Sequence, residues 1–159
     1  MIVVSDSSPL IALARVGHFH LLHSLFGEVL VPGAVWDEVV QADRPEVTQI
    51  VSAEWVKVVA VRDDSYLLAP RTEGDRGEAE AIALAADAPA DLHLLDERYA
   101  RQLAVSMGFE IIGVAGVLGL AKARGFLAEV RPVLDRLRNL NFHLATALYE
   151  QTLRAAGEL

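Results

Sequence analysis

The chain contains no cysteine. That removes disulfide scaffolds, thiolate zinc sites and thiol nucleophiles together. It also lacks a long apolar run: the nearly uncharged, strongly apolar stretch 111–121 is too short to cross a bilayer and carries Gly113, Gly116 and Gly119. The opening MIVVSDSSPL has no basic n-region and only four apolar residues before a polar cluster, so it does not read as a signal peptide. A soluble, cytoplasmic protein with no membrane association is expected. There is no internal repeat, linker or low-complexity tract, and 159 residues that are 53% hydrophobic and 23% charged suit a single domain with its own core.

Basic residues are in deficit, with 14 Lys and Arg against 22 Asp and Glu for a net charge of −8. The imbalance lies in 1–119, which hold eight basic and 18 acidic residues, whereas 120–159 hold six basic and four acidic. So acidic a body argues against a non-specific DNA coat protein, whose affinity comes from phosphate neutralisation. It suits carboxylates that hold a cation, or a basic protein partner; solubility alone accounts for many of them equally well.

Short apolar runs alternate with helical patterns. Strands are expected at Ile2–Ser5, Glu28–Val31, Val56–Val61, Leu92–Leu95 and Phe109–Ile112. Leu10–Phe26 reads as two helices broken near Gly17, and further helices are expected over Ala34–Gln41, Pro45–Ala53, Asp75–Ala86, Glu97–Met107 and Val114–Ala123. Two amphipathic helices, Val130–Leu140 and Ala145–Ala155, close the chain. The alternation predicts an α/β fold: a mainly parallel sheet between helical layers, a three-layer α/β/α sandwich. The C-terminal helices, about 126–159, are expected to pack on the domain or on a second subunit.

In such sheets ligands bind beyond the carboxyl ends of the strands. Asp6 follows the first strand, and Asp96 and Glu97 follow the Leu92–Leu95 strand. Each could equally cap a helix, but two such positions in one sheet favour a site. Glu78 stands in the first turn of its helix and shares a face with Ile82. Asp37 and Glu38 occupy opposite edges of one apolar stripe, and periodicity does not choose between them.

The ordered set SDSSPLI, VPGAVWDEV, GEAEAIALA, LLDERYAR, GFEIIGVAGVLGLAKARG and closing AAGE resembles the PIN-domain superfamily over nearly the whole chain, most closely a VapC-like branch of predicted nucleic-acid-binding proteins. The resemblance implies an acidic cluster that binds Mg²⁺ or Mn²⁺ and cleaves RNA. Position by position it assigns Asp6, Glu38, Glu78 and Asp96 as catalytic and metal-binding acids, with Glu97 the alternative to Asp96. Ser7 and Ser8 match small polar positions after the first acid, and Arg98, like Arg101, could meet an RNA backbone. It also implies a homodimer and a small antitoxin partner. A non-catalytic module that binds nucleic acid or protein is the alternative from another class.

Weaker patterns have structural readings. Gly113, Gly116 and Gly119 are spaced G-x-x-G-x-x-G rather than as a dinucleotide cradle, which favours close helix–sheet packing. His20 and His23 are three apart but lack a third ligand nearby, so they read as surface histidines.

Overall fold

The computed structural model describes residues 1–60, 80, 81, 84, 90–96, 102, 105, 108 and 110–159. Among these, five strands form one sheet: β1 (Val3–Ser5), β2 (Val29–Pro32), β3 (Val56–Val59), β4 (Leu92–Leu94) and β5 (Ile111–Ile112). Their order is β3-β2-β1-β4-β5 and every pairing is parallel. Val3 and Ser5 of β1 stand opposite Leu92 and Leu94 of β4, and Val4 stands opposite Leu30 of β2. Parallel neighbours cannot be joined by a hairpin, so helical crossovers connect them and bury both faces of the central strands. Lys57 and Val58 of β3, at the sheet edge, are exposed instead, and a lysine there discourages pairing with another chain.

Among the described residues seven helices have defined bounds: α1 (Ser7–Arg15), α2 (His20–Phe26), α3 (Gly33–Gln41), α4 (Val47–Ser52), α5 (Val114–Ala123), α6 (Arg131–Asn139) and α7 (Thr146–Ala155). The first of them begins three residues before the apolar pattern does, because Asp6 caps it. Gly17 sits at φ +76 and turns the chain between α1 and α2. Helix α1 packs against α3, α4 and α5. Crossovers running in opposite directions along a sheet lie on opposite faces when both are right-handed, and the β3-to-β4 connection runs opposite to those from β1 to β3. Ala81 and Leu84 in that connection are helical and fully buried in the core. The fold is therefore a three-layer α/β/α sandwich. Of the expected helices Asp75–Ala86 and Glu97–Met107, most residues lie outside the described ones.

The C-terminal helices join the same core through Val133, Leu134, Leu137 and Leu153. A chain-end clasp holds them there. Val130, the residue before α6, has no side-chain acceptor to offer, so the first amides of that helix need one from elsewhere. Glu158 supplies it. Its carboxylate accepts from the backbone N–H of Val130 at 2.8 Å and of Arg131 at 3.0 Å, and from Lys122 Nζ of α5 at 3.0 Å. Arg131 Nη2 in turn donates to the Glu158 carbonyl at 2.7 Å. Burial opposes ionisation of this carboxyl, but the two backbone donors and Lys122 outweigh it and hold its pKa at about 2.

A carboxyl with a depressed pKa contributes stability above its ordinary value of 4.5, and that stability is lost as the pH falls towards 2. Solvent near the chain end screens part of the gain. Glu158→Ala, which also uncaps α6, should cost about 2 kcal/mol at neutral pH, a fall of roughly 4–8 °C in melting temperature. A melt unchanged by the substitution would mean that the clasp is ornamental.

Candidate functional site

Sheet order decides where a site can form. From β1 the chain moves outward through β2 and β3, and the other branch, β4 and β5, lies on the opposite side. The switch point is therefore between β1 and β4, where parallel sheets leave a crevice beyond the strand ends. Asp6 follows β1, and its backbone N–H donates to Leu94 O at 3.1 Å across that seam. Asp96 follows β4 two residues later. Two acids predicted from strand ends thus flank the crevice of the sheet.

Asp6 is only 2% exposed. Its carboxylate accepts from the Ser7 backbone N–H at 2.9 Å, so it also serves as the N-cap of α1. Ser7 is buried too, and its hydroxyl donates to Glu38 Oε2 at 2.6 Å. One serine therefore links two of the acids, through its amide and its hydroxyl. Ser7 thus meets Glu38 and not Asp37, which helical periodicity did not distinguish: Glu38 is half-buried and faces α1, whereas Asp37 is exposed. Ser7, expected as a substrate contact, is engaged with Glu38; Ser8 is exposed.

Asp96 is half-buried and receives the N–H of Val114 at 3.1 and 3.2 Å on its two oxygens. Val114 opens α5, whose own cap residue is Gly113, so the first amide of that helix is satisfied from the end of β4. A carboxylate there is favoured by the helix dipole, and the bond ties the acid's position to α5.

The glycines of α5 make that approach possible at one position. A Cβ on Gly116 would lie 2.6 Å from Ile112 Cγ1, whereas one on Gly119 would meet nothing within 4 Å. The packing reading of the glycine run therefore holds at Gly116. Gly116→Ala should push Ile112 and β5 away and destabilise by about 1–3 kcal/mol. Gly119→Ala should stabilise by up to about 1 kcal/mol through helix propensity. Urea midpoints moving in the same direction for both variants would contradict this account.

Glu78, Glu97, Arg98 and Arg101 lie outside the described residues. Glu80, which sequence reading passed over in favour of Glu78, is helical and 6% exposed. No local pattern marks it, since its burial is a tertiary fact. His20 and His23 are both exposed, His23 bonding Gly27 O at 2.7 Å and stacking on Trp55, so they serve the surface.

The acids present are hard oxygen donors, which in kind suit Mg²⁺ or Mn²⁺. Among the described residues, however, no three acids or histidines are grouped so as to hold an ion. Asp6, Glu38 and Asp96 therefore do not make up such a group on their own, and Glu78 and Glu97 lie outside the described residues. Also among the described residues, no helix is long and apolar enough to cross a membrane.

A doubly wound parallel sheet carrying carboxylates at its switch point defines the class as an open α/β protein. Within that class the chain belongs to the PIN-domain family: a family model described as a PIN domain matches residues 2–158. Its fold is thus of the nuclease type. No curated protein matches the chain.

Proposed function

We propose that this protein is a VapC-like, metal-dependent endoribonuclease, the toxin of a toxin–antitoxin pair, acting in the cytoplasm as a homodimer restrained by a small antitoxin. The observation that carries the reading is the placement of Asp6 and Asp96 at adjacent strand ends of the switch point, with Glu38 drawn to Asp6 by Ser7. Asp6, Glu38, Glu78 and Asp96 would hold Mg²⁺ or Mn²⁺. Such an ion supplies Lewis acidity to a phosphodiester. The residues themselves have three tasks. Asp6 sets a buried carboxyl group at the end of β1; Ser7 fixes the direction of Glu38; Asp96 is held against α5. One of these carboxylates would take the proton of the attacking water as the sugar oxygen leaves.

The alternative, a binding module that does not cut, also has an observation in its favour. The Asp6 and Asp96 carboxylates both cap helices, and no three donors group together among the described residues. One experiment separates the two: cleavage of a labelled pool of structured and single-stranded RNAs with Mg²⁺, Mn²⁺ or EDTA. Cutting that needs the ion supports the nuclease. RNA binding with no cutting under any ion, together with no ion binding by calorimetry, supports the module.

A further inference from the structure

A second recess lies along α1, beginning two residues past Asp6. Ser8, Ile11, Ala12 and Arg15 fall on one face of the helix by their spacing and form one wall. The end of α6 and the turn after it form the other, with Leu140, Asn141, Phe142 and His143. The cavity is about 280 Å³, near the small end of ligand pockets. Three observations mark it as a place for an anionic, partly aromatic ligand. No acidic residue lines it among the described residues, although the chain as a whole carries −8. Arg15 is half-buried, yet its guanidinium reaches only Leu140 O at 3.5 Å, the limit of a hydrogen bond, and pairs with no carboxylate among the described residues. Arg136 lies nearby, with Nη1 3.4 Å from Val16 O.

We propose that this recess is a nucleotide subsite, taking one base and phosphate of an RNA strand whose neighbouring phosphate lies at Asp6; the proposal rests on the ribonuclease reading. Phe142 is the stacking surface for the base and Arg15 the phosphate partner, with Asn141 and His143 at the base edge. Helical rise places Arg15 about 10 Å along the axis from Ser8, so the recess extends the crevice away from the strand ends.

The test is fluorescence anisotropy of labelled pentaadenylate and pentauridylate in EDTA, where no ion-dependent step enters. Arg15→Gln, which should melt as the wild type does, and Phe142→Leu, which keeps an apolar side chain against the core without the ring and is compared at a temperature where it is folded, should each weaken binding about tenfold. Equal binding by the variants and the wild type overturns the subsite, as does a wild type that binds neither oligonucleotide. Variants that keep RNA binding but change from dimer to monomer on size exclusion overturn it in favour of a seat for a second copy. Cleavage of longer RNA with Mg²⁺ is scored separately, so the subsite can fail while the nuclease stands.

Discussion

Asp6→Asn should lower RNA hydrolysis by at least about a hundredfold, the usual cost of removing one preorganised electrostatic group, while leaving the melting temperature almost unchanged. Two effects of the substitution must be weighed. Asn caps a helix about as well as Asp, so its side-chain oxygen can still accept from the Ser7 N–H. Loss of the charge removes a dipole interaction of about 0.3–1 kcal/mol. It also removes the cost of keeping a carboxylate that is 2% exposed away from water, which opposes that loss. On the proposed reading, nothing offsets the loss of the negative charge with which Asp6 would help hold a cation. Asp6→Ala separates the roles, because it loses the cap as well and should cost about 1 kcal/mol of stability in addition to activity. An Asn variant that cuts RNA at the wild-type rate would reduce Asp6 to a helix cap and remove the central acid from the proposed site.

How much of this could be read in advance depended on whether the deciding interaction was local. Helix and strand existence followed from punctuation and period: Gly17 divides α1 from α2, and Pro32-Gly33 ends β2 and opens α3. Boundaries failed where a polar cap outweighed the apolar pattern, as at Ser7, or where pairing ended a strand early. Ala60 was expected in β3, but pairing with β2 ends at Val59, opposite Pro32, and Glu110 was expected in β5, which begins at Ile111; Val61 and Phe109 lie outside the described residues. The strand-end rule reached Asp6 and Asp96 because position after a parallel strand is itself a local property. Glu38 was different. Nothing on its own helix distinguishes it from Asp37, and the decision comes from a serine 31 residues away. Asp96 and Val114 are likewise 18 apart, and Glu158 reaches back 28 residues to Val130. Those contacts depend on sheet order and crossover, which residue spacing does not encode.

Acid should destabilise the protein well above the range in which its carboxylates titrate, and the cause is His93. This histidine lies in the middle of β4, opposite Val4 of β1 and Ile111 of β5, and is fully buried. Burial disfavours the imidazolium and lowers its pKa from 6.5 to about 4. The sign follows from linkage. The unfolded chain takes up a proton near pH 6.5, whereas the folded chain resists until about pH 4. Stability is therefore complete above 6.5 and is lost as the pH falls through that window, by about 3 kcal/mol in total and about 2 kcal/mol by pH 5. The Glu158 clasp fails only below 4.5, so the two losses come in succession rather than together. Urea midpoints for the wild type at pH 7.5, 6 and 5 should fall steadily. Those of His93→Gln, whatever its stability at pH 7.5, should fall much less over the same range, since the substituted residue does not titrate. Parallel pH profiles for the two proteins would assign the acid sensitivity elsewhere. Because β1 and β4 carry Asp6 and Asp96 at their ends, a proton on His93 opposes the strand pairing on which the proposed site is built.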